Sequence, residues 1–491
     1  MAENKKSKKI IITLFAIFGV LIFVLLISKI PLQNDTLFDI KLGEKYLTEG
    51  FNTNDDFSIH ENLKYVSHHF LVNIITFLVY NTFGFVGLYL LEILLTLVIA
   101  FLFFTANKIF LKNTKLAYFT VFIEMLFMLP FISVRAQMYS YILFLVEIIC
   151  IEKFLSTKKF RYLALLSVLP LFIINFHAGT IFFYFIIIGV YLLGYIKVNT
   201  QKLVNDEERK KNLKYLFIPI IVGSILMFIN PFGIDSVTYS LKTLDNTFIS
   251  ENISEFQPSN ISNFLIAFVY MFIWINIYIF TKKKIKTYQM LLLYGTMFMT
   301  LISIRHFSLM VIVSATNMEH LFNVILQMYN AYINGVKKEK IKTMNIMICS
   351  VYIVVIFVTT AFLGRTDSYE FLPEENYPLE AMNYINENIP EDSRIFNEYT
   401  WGSLMMLNNR KVFIDSRCDL YTSEYNKGTN VAIDYIDAIR CKKDFNKIFE
   451  KYNIDYLFIS TDSNLYYNVE NNPNYETLYK DKNCAVIRVN I

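Results

Sequence analysis

Apolar runs of about 20 residues recur along the first three quarters of this chain of 491 residues, and a run of that length crosses the roughly 30 Å hydrocarbon core of a bilayer as a helix. Inside hydrocarbon every backbone N–H and C=O must be paired within the segment, so the runs leave a helical bundle as the available architecture. Composition agrees: 55% of residues are hydrophobic, 18% are charged, and the mean hydropathy is +0.40. The last quarter lacks such runs.

The first run, Ile10 to Ile27, follows Lys5, Lys6, Lys8 and Lys9 and resembles the start of a signal peptide. Ser28, Lys29, Ile30 and Pro31 come next instead of a small-residue cleavage site, so the run reads as an uncleaved span with a cytoplasmic N-terminus. Further spans are expected at 84–106, 116–134, 138–155, 162–176, 178–196, 213–229, 263–281, 288–304, 307–327 and 345–364, about eleven in all. The segment Phe70 to Tyr80 is short for a crossing and reads as a juxtamembrane or re-entrant piece.

Basic residues test this arrangement, because short cytoplasmic loops are rich in Lys and Arg. The groups Lys108, Lys112 and Lys115; Lys158, Lys159 and Arg161; Lys197, Lys202, Arg209, Lys210, Lys211 and Lys214; Lys282, Lys283, Lys284 and Lys286; and Lys337, Lys338, Lys340 and Lys342 all fall inside if Phe70 to Tyr80 does not span. The C-terminal region is then extracytoplasmic, as expected for a multi-pass plasma-membrane protein. These anchors account for the formal net charge of +4, and no nucleic-acid footprint remains. Cys150 and Cys349 lie in expected spans. Cys418, Cys441 and Cys484 lie in the outer region without metal-site spacing, and the reading is free thiols with room for one disulfide.

On this topology the polar interruptions collect on one side. Asp35, Asp39, His68, Arg135, Gln137, Asn175, His177, Asn230, Glu255, Arg305 and His306 all map to outer ends or outer loops. Polar groups at the edge of hydrocarbon are costly, so a one-sided set marks a candidate site. The first outer loop, 29–67, is strongly acidic. Its stretch Asp35 to Glu49 has Leu37, Ile40, Lys41, Glu44 and Leu47 at helical intervals, which predicts an amphipathic helix on the membrane surface. Asp35 and Asp39 would share a face, fit to bind a cation or to divide the roles of base and orienting group; helix capping by Asp35 is the alternative.

His68 and His69 are adjacent, so at most one of them faces a site. Arg135 and Gln137 form a tight outer turn, where a guanidinium suits phosphate; snorkelling at the interface is the alternative. Asn175 and His177 form a second such turn. Asn230 ends the seventh span before Pro231 and Gly233, and Glu255 lies in the second large outer loop, 230–262. Arg305 and His306 close the outer end of the ninth span. Two arginines and several histidines facing an acidic loop suit an anionic ligand.

With these motifs in hand the sequence resembles the GT-C superfamily of polytopic glycosyltransferases, which includes the protein O-mannosyltransferases and the aminoarabinose transferases of lipid A. It is more similar still to a bacterial branch of such proteins. The resemblance rests on Asp35-Thr36-Leu37-Phe38-Asp39-Ile40-Lys41-Leu42-Gly43-Glu44, the His68 motif, Arg135-x-Gln137, Asn175-x-His177, Asn230-Pro231-x-Gly233, Ser254-Glu255 and Arg305-His306. Beyond the spans it takes in Trp401-Gly402 and Val412-Phe413-Ile414-Asp415-Ser416-Arg417.

The resemblance implies transfer of a sugar from a polyprenyl-phosphate or -diphosphate donor to a cell-envelope glycan, lipid or protein acceptor at the outer membrane face. Asp35 would serve as base or orienting acid, helped by Asp39 or His68. Arg135 and Arg305 would hold the lipid phosphate, with Gln137, Asn175, His177, Asn230, Glu255 and His306 as further substrate contacts. No cofactor follows with certainty, and a divalent metal, Mg or Mn, is a candidate. Asp39 stands where many relatives carry histidine, and Thr36 where a second acid would stand. Membrane lipids are the remaining partners.

The expected domains are a GT-C-like transmembrane part, 1–365, and a small extracytoplasmic α/β part, 366–491. In the latter, helices are expected at 377–388 and 442–452, with strands at Lys411 to Asp415, Ile454 to Ser460 and 484–490. Asp415 and Arg417 read as a structural ion pair or a carbohydrate-binding rim. Two other functions stay open: a transporter or flippase for lipid-linked sugars, for which Glu124 and Glu147 would be midspan relay carboxylates, and an oligosaccharide polymerase or ligase.

Overall fold

A computed structural model describes residues 31–194, 203–204, 211–244, 247–262, 264–334 and 370–491, together with Gly19, Phe23, Val24 and Ser28. Most of the expected span Ile10 to Ile27, all of 345–364, and Lys197, Lys202, Arg209, Lys210, Lys337, Lys338, Lys340 and Lys342 lie outside the described residues. The chain divides into two compact units that interleave along the sequence. The first is Met1–Lys29, Tyr89–Asn230 and Ser254–Asp367; the second is Ile30–Leu88, Pro231–Ile253 and Ser368–Ile491.

The first unit is a helical bundle. Among the described residues four helical stretches are long and apolar enough to cross a membrane: Phe70–Leu111, which enters this unit at Tyr89, and Thr114–Phe131, Phe160–Leu193 and Ile304–Ile333. Two shorter apolar helices, Leu265–Phe280 and Thr287–Ile302, accompany them. The expected spans 162–176 and 178–196 are two helices, Phe160–His177 and Ile181–Leu193, joined through a single tight turn at Ala178–Thr180. The expected span 213–229 contracts to the helix Phe217–Leu226.

Large apolar side chains stand exposed on these helices, among them Phe101, Ile221, Phe272 and Phe298, each more than 60% accessible. Such surfaces are what lipid covers and water does not. One polar contact inside the bundle joins two helices: Asn107 Nδ2 donates to Glu124 Oε2 at 2.6 Å, which gives Glu124 a role in helix packing.

The second unit joins residues Ile30–Leu88 and Pro231–Ile253 to the C-terminal residues. Its sheet runs in the order Ile395–Asn397, Tyr456–Ser460, Cys484–Val489, Tyr475–Lys480; the first pair is parallel and the other two are antiparallel. Helices Leu379–Asn388 and Phe445–Tyr452 stand where the sequence pattern places them. Lys411 to Asp415 does not form a regular strand. Val412 makes one isolated bridge to Ser58, with Ile59 N donating to Val412 O and Val412 N to Phe57 O, both at 2.9 Å. The strand at Tyr475–Lys480 has no counterpart in the sequence reading.

The helix Asn34–Thr48 corrects a second expectation. It is not an amphipathic helix lying on the membrane: Leu37, Phe38, Leu42 and Tyr46 belong to the same hydrophobic core as Phe396, Phe413 and Phe458. Gly43 permits its closest approach, since a Cβ there would stand 2.1 Å from Asn73 O on the next helix. That next helix begins at Phe70, so Phe70 to Tyr80 is regular helix, and helical dihedrals break only at Gly84 (φ 61°, ψ −155°). The described cysteines, Cys150, Cys418, Cys441 and Cys484, are all free thiols.

Candidate functional site

The sequence-expected residues separate into two groups, one in each unit. In the second unit Asp39 is buried, with 1% of its surface exposed. Its Oδ1 lies 2.8 Å from His69 Nε2 and accepts from Asn73 Nδ2 at 2.6 Å. Ser67 Oγ donates to Asn73 Oδ1 at 2.6 Å, which closes a network between the first-loop helix and the helix from Phe70. Asp39 therefore faces the interior, with its Oδ1 held between His69 and Asn73.

His68 turns the other way. Its ring stacks on Tyr239, with centroids 4.1 Å apart and planes at 17°. His69, and not His68, is the histidine that meets Asp39, because neighbouring residues at the start of a helix point to different faces. Asp35 sits in the first turn of Asn34–Thr48 and is partly exposed. Burial, and then the Asp35 charge, push the Tyr377 phenol up.

Asp415 and Arg417 form a buried structural pair, one of the two roles considered for them. Arg417 Nη2 donates to Asp415 Oδ2 at 2.7 Å and Nη1 to Asp55 Oδ1 at 2.6 Å, with all three side chains fully buried. Tyr421 OH donates to Asp415 Oδ2 at 2.6 Å. Burial pushes the Asp55 carboxyl up, but Arg417 and the Ser58 hydrogen bonds outweigh it and leave the carboxyl below its usual range. Nearby, His60 Nε2 lies 2.7 Å from Phe413 O, and burial lowers its pKa to about 4.

In the first unit a cavity of about 180 Å³ gathers Arg135, Gln137, His177, Glu255, Arg305 and His306. Arg135, which precedes the helix Ala136–Thr157, donates from Nη1 to Glu255 Oε1 at 2.6 Å and from Nη2 to Oε2 at 3.5 Å. Arg305 lies with its guanidinium carbon 4.4 Å from the Phe256 ring centroid. The His306 ring meets Phe183 edge-on at 5.3 Å. His177 Nδ1 lies 2.7 Å from Ser140 Oγ, which in turn lies 3.3 Å from Thr180 Oγ1. Burial raises the Glu255 carboxyl, and the charges of Arg135 and Arg305 overcome that to hold it below the usual carboxylate range.

Two of the expected contacts lie outside this lining. Asn175 Nδ2 donates to Leu171 O at 2.6 Å and to Ile229 O at 2.9 Å, which ties the end of one helix to the chain after another. Asn230 Nδ2 donates to Met227 O at 3.1 Å. Both asparagines thus bind the carbonyls left over at helix ends. Ser140 and Thr180 enter the lining although the sequence reading passed over them; Ser140, three residues after Gln137 on the same helix face, carried a signal. Among the described residues no three of His, Cys, Asp and Glu converge to hold a metal ion.

No family model matches the sequence, and no curated protein matches it. Solved structures do. The oligosaccharyltransferase of Archaeoglobus fulgidus superimposes with a TM-score of 0.59 at 10% identity over 91% of this chain and 69% of that one. ArnT from Cupriavidus metallidurans, solved bound to undecaprenyl phosphate, superimposes with a TM-score of 0.58 at 11% identity over 98% of both chains. The archaeal enzyme was also solved tethered to an acceptor peptide containing the NVT sequon, and in that form covers 91% of this chain and 69% of its own at a TM-score of 0.58 and 9% identity. Apolar helices of membrane length and this likeness together make the chain a multi-pass membrane protein with a fold like that of ArnT and the archaeal oligosaccharyltransferase.

Proposed function

We propose that this protein is a glycosyltransferase that moves a sugar from a polyprenyl-phosphate or -diphosphate donor to an acceptor at the outer membrane face. The observation that carries the reading is the cavity where apolar helices end, in which Arg135 and Arg305 converge with Gln137, His177 and His306. Guanidinium groups at a partly dry site suit a phosphate whose negative charge grows as a bond to it breaks. ArnT, which has this fold, was solved with undecaprenyl phosphate bound.

In this mechanism the acceptor's nucleophilic oxygen or nitrogen attacks the anomeric carbon of the donor sugar. The bond between that carbon and the phosphate oxygen breaks, and the lipid phosphate leaves with the electron pair while Arg135 and Arg305 balance its charge. The acceptor's proton passes to Asp35, the acid of the first-loop helix that keeps partial exposure. Asp39 and His69 act on the position of that helix and not on the substrate. The acceptor class is a cell-envelope glycan, lipid or protein.

A transport reading for lipid-linked sugars draws on a separate observation. Glu147 is fully buried in Ala136–Thr157 with neither carboxylate oxygen hydrogen-bonded, and an ionisable group placed at membrane depth without a packing partner is a candidate site of proton uptake. Both readings are tested by offering purified protein a panel of polyprenyl-phosphate and -diphosphate sugars, beside the same donors in liposomes. Sugar transfer supports the first reading. Movement of intact donor between leaflets, with no transfer, supports the second.

A further inference from the structure

Glu255 occupies the edge of Arg135 that the proposed function assigns to the donor's phosphate. Its two carboxylate oxygens span Nη1 and Nη2, at 2.6 and 3.5 Å, and a phosphate seeking paired hydrogen bonds would take the same two nitrogens. One edge of a guanidinium cannot hold both anions at once.

The surroundings decide which partner can move. Ser303 Oγ donates to Glu255 O at 2.9 Å, Ile304 N to Gln257 O at 3.2 Å and Ser259 Oγ to Thr300 O at 2.6 Å, so the backbone carrying Glu255 is stitched to the turn carrying Arg305. Any exchange is therefore a swing of the Glu255 side chain. That side chain is 42% exposed against 17% for Arg135, so a released carboxylate can be hydrated while the guanidinium stays in the cavity wall.

We infer that Glu255 is an internal competitor for the phosphate: a single-phosphate oxyanion entering the cavity takes Arg135 by displacing the Glu255 carboxylate. The inference rests on the reading of Arg135 as a phosphate-binding residue. Its purpose follows from charge. A sugar phosphodiester carries one negative charge, whereas the phosphomonoester left after transfer carries about 1.5 to 2 and would be held more tightly by the same arginines. Return of Glu255 to Arg135 opposes that retention and helps release the spent lipid phosphate.

The test measures binding of undecaprenyl phosphate to the full chain in detergent for wild type, Glu255→Gln, Glu255→Ala, Arg135→Ala and the Arg135→Ala/Glu255→Gln pair. Loss of a partly exposed competing carboxylate is expected to tighten binding by about three- to tenfold in both Glu255 variants, and the gain should vanish without Arg135. Binding no tighter in either Glu255 variant overturns the inference while leaving Arg135's role intact. A gain that persists in the double variant marks a general field effect and also overturns it. Unchanged binding in Arg135→Ala removes the parent reading as well.

Discussion

His69 Nε2 lies 2.8 Å from Asp39 Oδ1, with both side chains buried, and this contact fixes the first-loop helix to the helix that begins at Phe70. The sequence offers Asp39 as a partner for Asp35 in chemistry. The structure instead gives it two neighbours, His69 and Asn73, that depend on its oxygen. Removing that oxygen leaves both groups buried without their acceptor. Asp39→Ala should therefore lower unfolding stability by about 2–4 kcal/mol, read by thermal or denaturant unfolding of the detergent-solubilised protein. A loss below the error of that measurement would mean that the network does not hold the helix.

Gly43 lies on the same helix, where an added Cβ would meet Asn73 O at 2.1 Å. Backbone atoms cannot yield as a flexible side chain can. Gly43→Ala should cost about 1–3 kcal/mol, although alanine is the better helix former, and any sugar-transfer activity should fall with it. Stabilisation by alanine would show that the two helices do not approach this closely.

His60 supplies a pH dependence. Its folded pKa of about 4 lies below the usual value of 6.5 because burial disfavours the charged ring. Stability from this group is full above pH 6.5 and falls as pH drops towards 4, since only the unfolded chain takes up the proton in that window; below 4 the loss levels off. The total is at most about 3 kcal/mol. Unfolding midpoints measured between pH 4 and 7 should follow this slope, and His60→Gln should flatten it. An unchanged slope in the variant would assign the dependence to other groups.

Asn175 separates bracing from ligand contact. Its amide donates to Leu171 O and Ile229 O, so Asn175→Ala should lower stability by about 1–3 kcal/mol while leaving undecaprenyl phosphate affinity close to wild type. Weakened affinity with unchanged stability would return this residue to the binding site, where its sequence motif first suggested it belongs.

Run length and hydropathy made the membrane class legible, because the thickness of hydrocarbon is read directly as residue count. Local periodicity likewise placed the helix Asn34–Thr48 and the strands Tyr456–Ser460 and Cys484–Val489 to within a residue or two. What stayed hidden depends on partners distant in the chain. Val412 pairs with Ser58 in a single bridge, so its apolar run resembles a strand without joining the sheet. The apolar residues of Asn34–Thr48 look membrane-directed until the core of Phe396, Phe413 and Phe458 appears against them. His68 and His69 are equivalent in sequence, and only the entry geometry of the helix at Phe70 assigns one to Tyr239 and the other to Asp39.

The central claim is transfer of a sugar from a polyprenyl-linked donor, with Arg135 at the phosphate and Asp35 as the base. Its most direct measurement is sugar transfer by purified protein from a panel of polyprenyl-phosphate and -diphosphate sugars, for wild type, Asp35→Asn and Arg135→Ala. The account predicts turnover of at least one donor by wild type, a loss of about 10²-fold or more in kcat for Asp35→Asn, and a weakened kcat/KM for Arg135→Ala. Full activity in Asp35→Asn, or intact donor crossing liposomes with no sugar transferred, would contradict it.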